Sequence, residues 1–480
     1  MGRTQGGRRL SGASGPRQPE PTEKQPGAEE TAEEDPGPPG ATGPPLGDPR
    51  TPDPSFLPPA QSPPRSRLPR GLSALSHHNF RLFFSGQLIS LTGTWMQQVA
   101  QAWLVLQLTD DPFALGIVAA AQFGPSLVFG LFAGVIADAF NKRIALLWLQ
   151  VMPGLLALAL GLLVASGEVQ PWHVYLLALA LGVANAFEMP LRQAFVVEMV
   201  GRSDVANAVA LNSAVFNGSR IIGPALAGLL IAVIGLAPLF FLNAFSYVAV
   251  VVGLLLMRPD ELVNPVERAV VERSFGSVID RLVEGLRYVR GEPRILLPIT
   301  VLAVVSVFAL NFQVLIPVYA RNVLLGDADT YGFLMAASGV GSLSGAMLIA
   351  FGQRPSLNLL LAGVVALGLG MLGLSLTASL PLGLLLMFVS GWGLIALAAT
   401  TNTRIQLIVP DVLRGRVMSV YTTVFAGSAP FGGLISGSVA TAFGVSAALA
   451  LAGVIALITA AAAAAAAPRM ARGGGVSASH

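Results

Sequence analysis

No cysteine occurs in the 480 residues, which excludes disulfides, thiolate metal sites and a cysteine nucleophile. Lysine is nearly absent. Lys24 and Lys142 are the only two and neither follows a glycine, so a GxxxxGK(S/T) phosphate loop is missing. The four histidines, His77, His78, His173 and His480, lack metal-ligand spacing. Neither HExxH nor GxSxG is present. Charge is scarce too: 11% of residues are charged against 53% hydrophobic, where a soluble domain carries about 25% charge. A net charge of +3 is too small to point to a nucleic-acid partner. These absences leave no catalytic constellation, cofactor or metal to expect, and they argue against an enzyme.

The charge that is present is unevenly placed. Residues 1–70 hold 17 of the 34 prolines together with nine acidic and nine basic side chains. Such a segment cannot bury enough apolar surface to offset its ordering entropy, so 1–71 reads as a disordered cytoplasmic tail. Arg8-Arg9 has no apolar run behind it, and no signal peptide is expected. From Phe80 onward the chain turns to twelve long apolar runs, at 80–108, 113–137, 143–166, 172–199, 205–234, 237–257, 294–320, 329–352, 356–377, 380–408, 415–441 and 444–467. About 20 apolar residues cross the hydrocarbon layer, and backbone in lipid must satisfy its own hydrogen bonds. The expected fold is therefore an all-α membrane protein of twelve transmembrane helices. It divides into two six-helix, pseudo-symmetric halves, 72–257 and 294–467, with a linker at 258–293 and a short cytoplasmic tail at 468–480.

Basic residues set the orientation. The breaks at Lys142/Arg143, Arg192/Arg202, Arg258–Arg294, Arg354 and Arg404–Arg416, and the tail with Arg469 and Arg472, fall on one side. The opposite breaks hold Asp110, Asp111, Glu168, Asp327 and Asp329, with Arg321 as the one basic residue. Both termini are thus expected in the cytoplasm, in a multi-pass inner-membrane protein. In the linker, Phe275, Val278, Leu282, Leu286 and Val289 repeat at helical spacing between charges, which predicts an amphipathic helix on the cytoplasmic surface. The halves read as copies. Gly223, Gly228 and Gly235 share their offsets with Gly432, Gly437 and Gly444, and "RQAFVVEMV" from Arg192 parallels "RIQLIVPDV" from Arg404. Internal repeats of this kind mark secondary transporters, with the substrate between the repeats.

A charge at mid-bilayer costs several kcal/mol, so it is turned inward and used. Arg220 lies mid-helix in the fifth run, in a row with Ser213 and Asn217. Asn185, Glu188 and Arg192 form another row in the fourth. The first run carries Gln87, Ser90, Thr94, Gln97 and Gln101 on one line, with Gln98 beside them; the later runs add Ser306, Asn311, Gln313, Asn402 and Gln406. Aligned polar groups must point away from lipid. They either line a water-filled cavity or hydrogen-bond neighbouring helices. Gln97, Gln98, Gln101, Asn185, Asn217, Arg220, Asn311, Gln313 and Asn402 are the candidate cavity residues. Glu188 is the one carboxylate inside an apolar span away from a loop. It is either a proton-coupling group or the local partner of Arg192 one turn on. Gly223, Pro224, Gly228, Pro430, Gly432 and Gly433 permit close helix packing or rocking. Among the aromatics, Trp95, Trp103, Phe123, Phe187, Phe312 and Trp392 either line an apolar pocket or face lipid.

The break "GVIADAFNKR" resembles the loop 2–3 signature GxxxDxxxRK of the major facilitator superfamily, through Gly134, Asp138, Lys142 and Arg143, with Asn141 where glycine is usual. "NGSRIIGPALAG" is similar to that superfamily's antiporter motif. The equivalent later loop, "GAMLIAFGQRP", has Ile349 at the aspartate position. Three segments, "PLRQAFVVEMV", "NAVALNSAVFNGSRIIGPALAG" and "VPDVLRGRVMSVY", resemble the drug and enterobactin exporter group. The resemblance implies alternating access, with Asp138 and Arg143 latching the cytoplasmic side near Arg414 and Arg416. It also implies proton-driven export of amphipathic or hydrophobic small molecules. The chain is expected to act as a monomer. A lipid or lysophospholipid flippase on the same fold and a non-transporting membrane sensor stand as alternatives.

Overall fold

The computed structural model describes residues 70–139, 141–263, 275–350 and 355–473. Side chains are described throughout these except at 70–71, 131–139, 275–279, 281, 350 and 469–473. The tail expected at 1–71 lies almost wholly outside the described residues, as do 264–274 of the linker, Arg354 in its break, and 474–480 of the final tail.

Every described element is helical. After a 3-10 turn at Arg70–Ser76 come α1 (His78–Thr109), α2 (Pro112–Ala139), α3 (Lys142–Ser166), α4 (Pro171–Ile234) and α5 (Ala237–Leu255). Then follow α6 (Phe275–Gly291), α7 (Pro293–Ala309), α8 (Phe312–Asn322), α9 (Ala328–Ala350), α10 (Leu357–Ser375), α11 (Leu380–Ile408), α12 (Asp411–Phe443) and α13 (Val445–Gly473). Nine helical segments among the described residues are long and apolar enough to cross a membrane, Pro293–Asn322 counting as one of them. Helices α1 and α12 are not among the nine. The polar row of α1, and the arginines, serines and threonines of α12, dilute their apolar character.

Two features of the chain path rest on single positions. First, α4 is two helices joined at Gly201 (φ 69°, ψ 175°), inside the break expected between the runs at 172–199 and 205–234. That backbone region is essentially restricted to glycine, because a Cβ there meets the following carbonyl. Second, the run expected at 294–320 is interrupted at Leu310–Asn311. The Asn311 side chain donates to the Val307 carbonyl (2.7 Å) and to Ser436 Oγ on α12 (2.9 Å). An internal carboxamide thus takes up a carbonyl where the α7 hydrogen-bond ladder stops.

The N-terminal turn, the Gly201 break, α6 and the start of α12 gather at one end of the bundle, here called the α6 end. The turn is held there by polar contacts: Ser73 Oγ donates to Asp204 (2.7 Å), His77 Nε2 meets the same carboxylate (2.9 Å), and the Ala74 amide donates to Asn207 Oδ1 (2.9 Å). Asn79 pins the chain after α5 by exchanging two hydrogen bonds with the Arg258 backbone. Phe80, Phe83, Leu146, Phe195, Met199 and Leu254 form a compact apolar cluster beneath them. Helix α6 lies on α12 through Gly285, whose added Cβ would stand 2.5 Å from the Arg416 carbonyl. Val289 is buried beside this contact while Leu286 of the expected apolar row is exposed. The packed face therefore centres on Gly285 and Val289.

The glycines with matched offsets have matched environments. Gly223 faces Trp95 and Thr92 of α1, and Gly432 faces Val307 and Asn311 at the break between α7 and α8. Gly228 meets the first turn of α9 at Asp329, and Gly437 meets the first turn of α2 at Pro112 and Phe113. Gly235 and Gly444 end α4 and α12 with φ 78° and 84°.

Replacing Gly201 by alanine is expected to cost about 1–3 kcal/mol through backbone strain. The thermal unfolding midpoint of the detergent-purified protein should fall accordingly. Gly124→Ala, where a Cβ meets nothing within 4 Å, is the control and should leave it unmoved.

Candidate functional site

The polar row of α1 divides between two surroundings. On one side Gln97 Oε1 accepts from Asn243 Nδ2 of α5 (2.7 Å), and Thr94 Oγ1 meets the Tyr247 hydroxyl (3.2 Å). These contacts tie α1 to α5. Gln87 and Ser90 are buried on the same side, and Gln87 Nε2 has no hydrogen-bond partner among the described residues. On the other side Gln98 and Gln101, with Gln122 of α2 and Gln313 of α8, line a cavity of about 20 Å³. That is room for one water, not for a drug-sized molecule. Gln313 Nε2 donates to Gln98 Oε1 (2.9 Å), bridging the helices before α6 to those after it.

Among the described residues, the contacts across that divide cluster at the far end of the bundle, opposite α6. Arg321 of α8 pairs with Asp110 (3.2 Å) and donates to the Leu106 carbonyl in the last turn of α1 (2.7 Å). Asp110 occupies the left-handed region, φ 49° and ψ 24°, as the cap of α1. Asp111 accepts from Thr441 Oγ1 of α12 (2.6 Å). Between these polar links backbone lies on backbone. A Cβ at Gly116 would stand 2.6 Å from the Gly433 carbonyl oxygen, and one at Gly332 would stand 2.6 Å from the Pro224 carbonyl oxygen. Small residues allow this approach, and van der Waals contact is what holds helices together where lipid is as apolar as leucine. Pro224, Gly228 and Gly433 are buried in these seams, whereas Gly432 is buried against Val307 and Asn311, and Pro430 is buried within α12.

At the α6 end the described signature side chains, Lys142 and Arg143, bind within the helices before α6. Lys142 pairs with Glu198 (2.6 Å). Arg143 donates from Nε to the Leu254 carbonyl (2.8 Å) and from a terminal nitrogen to that of Leu255 (3.0 Å), satisfying the last carbonyls of α5. Arg414 pairs with Asp411 one turn back and Arg416 with Glu284 of α6. Gly134 and Asp138 lie in the backbone of α2, with their side chains outside the described residues.

Within α4, Glu188 pairs with Arg192 (3.1 Å) and sits 3.4 Å from Gln150 Nε2. Asn185 is exposed. Asn217 is half-buried and donates back to the Ser213 carbonyl (2.8 Å). Asn402 is half-buried and accepts from Gln406 one turn on (2.5 Å). Arg220 is half-buried with its guanidinium 5.8 Å from the centre of the Trp95 ring. The structure thus joins Gln98 to Gln313 and Asn311 to α12, while Asn185, Asn402 and Glu188 stand apart from that cluster. Asn243, Gln122, Ser436, Glu198 and the Arg321–Asp110 pair escaped the sequence reading. The row on α1 requires polar partners on its neighbours, but nothing in a single chain says which helices those neighbours are.

A family model described as transmembrane secretion effector matches residues 70–473. The multidrug efflux pump Tap of Mycolicibacterium fortuitum is 29% identical over 369 residues, covering 74% of this chain and 87% of that protein. The staphyloferrin A transporter of Staphylococcus aureus is 25% identical over 381 residues, with 78% and 92% covered. The enterobactin exporter EntS of Shigella boydii is 26% identical over 354 residues, with 72% and 82% covered. Among solved structures, a point mutant of the nucleoside transporter NupG superposes with a TM-score of 0.64 at 12% identity, covering 83% of this chain and 99% of that one, a likeness of fold.

Arg321→Gln removes both the ion pair and the cap on the Leu106 carbonyl. An exposed pair of this kind contributes at most about 1 kcal/mol, which is about fivefold in an opening equilibrium. The chain has no cysteine of its own, so Gln98→Cys gives a single labelling site. Its modification by a membrane-impermeant thiol reagent, added on the side opposite α6, should speed up by up to about fivefold in the Arg321→Gln background.

Proposed function

The chain belongs to the transmembrane secretion effector family of major facilitator transporters, and on that premise we propose that it exports amphipathic or hydrophobic small molecules of drug or siderophore type by proton-coupled alternating access. It is a multi-pass membrane transporter and not an enzyme. The proposed topology has twelve spans: α1 to α3, two from α4 parted at Gly201, α5, α7 with α8, and α9 to α13. They form two six-helix halves in the cytoplasmic membrane, with both termini and α6 in the cytoplasm, and the protein works as a monomer. The paired environments of Gly223 and Gly432, and of Gly228 and Gly437, favour such a repeat.

The observation that supports alternating access most is the asymmetry between the two ends among the described residues. Glycine contacts and the Arg321–Asp110 and Thr441–Asp111 links join the proposed halves at the far end. Arg143 and Arg416 meanwhile bind α5 and α6 at the other end. In this reading the far end is the closed outer gate. The outward-facing state then forms when Asp138 docks near Arg414 and Arg416, where a helix N-terminus and two guanidinium groups stabilise a carboxylate. In this reading Glu188, paired with Arg192 one turn on, is the proton-coupling group.

Asp138→Asn should lower the initial rate of efflux at least tenfold in inverted vesicles at unchanged expression. Wild-type flux from that variant removes the latch. Glu188→Gln should abolish efflux driven by an imposed pH gradient in proteoliposomes. Undiminished gradient-driven efflux places the coupling group elsewhere.

A further inference from the structure

Arg220 sits at the middle of the second part of α4, where an uncompensated charge costs about 3 kcal/mol. Within the same span, Ile222, Leu226, Leu229 and Val233 are exposed along one line. At 100° per residue this line is diametrically opposite the row Ser213, Asn217 and Arg220. Ser213 is exposed, and Asn217 and Arg220 are half-buried. The helix thus has two open faces, an apolar one for lipid and a polar one that lipid would not tolerate. The polar face is open at Ser213, which is exposed. It also borders the divide between the helices, because the Arg220 carbonyl lies beside Gly339 of α9.

Among the described residues, the Arg220 guanidinium has no hydrogen-bond acceptor and no carboxylate partner; its contact is the Trp95 ring. The ring is itself held in place. It packs edge-on against Phe216 (5.6 Å, 73°), and Gly223 lets the α4 backbone close onto the Trp95 Cβ. A cation over an aromatic face gains about 0.5–2 kcal/mol, short of the embedding cost. It engages the face of the guanidinium and leaves the five N–H donors on its edge free, in the fork that matches a carboxylate. Glu188, the one carboxylate well inside a described span, is taken by Arg192.

We propose that Arg220 and Trp95 form an anion-binding subsite, and that the transported compounds pair a carboxylate or similar delocalised anion with an aromatic or apolar body. The anion takes the edge of the guanidinium, the apolar body lies along Phe216 and Trp95, and the Asn217 carboxamide borders the site. Amphipathic cations are disfavoured there by the same charge. This assignment rests on the small-molecule transporter reading and narrows its substrate class.

The test compares 1-naphthaleneacetate with 1-naphthaleneacetamide, which differ in charge and little in shape. Binding is measured by titration calorimetry on the full chain in phosphatidylcholine nanodiscs at pH 7.5. The acetate should bind at least tenfold more tightly than the amide. Arg220→Gln should lower acetate affinity about tenfold, to that of the amide. Arg220→Lys, which keeps the charge without the fork, should retain part of the preference and shows that the site tolerates substitution. No binding of the acetate, equal binding of the two probes, or a preference that survives Arg220→Gln overturns the subsite. Efflux of the acetate from proteoliposomes is read separately: a charge preference in binding without efflux supports the subsite and counts against the transporter reading.

Discussion

At Gly228 and Gly437 one helix backbone rests on the first turn of another with no side chain between them. In water such a seam would be a weak way to join two helices, because little apolar surface disappears. In hydrocarbon the lipid chains are as apolar as leucine, so exclusion of apolar surface supplies no force and close van der Waals approach becomes the main attraction. Glycine is what permits that approach. The far-end seams, α4 on α9 and α12 on α2, are built this way, and the Gln98–Gln313 and Arg321–Asp110 contacts depend on the register they impose. Seams of this kind slide or part without exposing a hydrophobic core. That property suits a protein whose proposed cycle opens and closes them.

Scarcity of charge acts through the same physics. Where hydrocarbon surrounds the protein, each charged group must leave the span, find a partner or face a polar space. Lys142, Arg143, Arg414 and Arg416 sit at helix ends and bind carboxylates or terminal carbonyls there. Glu188 and Arg192 neutralise one another one turn apart. Arg220 takes the third course; it lies over an aromatic ring on the side of α4 turned from lipid. An embedded cation with its hydrogen-bonding edge open favours a ligand that supplies the missing acceptor.

Much of the helical layout was legible before any coordinates. Apolar runs of span length, their polar breaks and the glycine offsets follow from local composition, because the hydrocarbon layer demands the same thing of every segment that crosses it. The break between the runs at 172–199 and 205–234 was legible, and the chain turns inside it at Gly201 with φ 69°. The interruption at Leu310–Asn311 was not legible, because it is stabilised from outside, by Ser436 on α12. The α1 row was visible as a line of polar residues, yet its division between Asn243 and Gln313 depends on which helices stand on each side.

By itself the sequence determined that this chain lives in a membrane as helices, that its glycines recur with fixed offsets, and that few charged residues fall inside the spans. These are properties of segments, set by transfer energies that each stretch of chain meets alone. The tertiary structure decided which end of the bundle is joined, that Arg143 and Arg416 are engaged at the other end, and that Arg220 meets Trp95 with its edge free. Those depend on contacts between residues more than a hundred positions apart, and no local pattern encodes which distant helix will supply the partner.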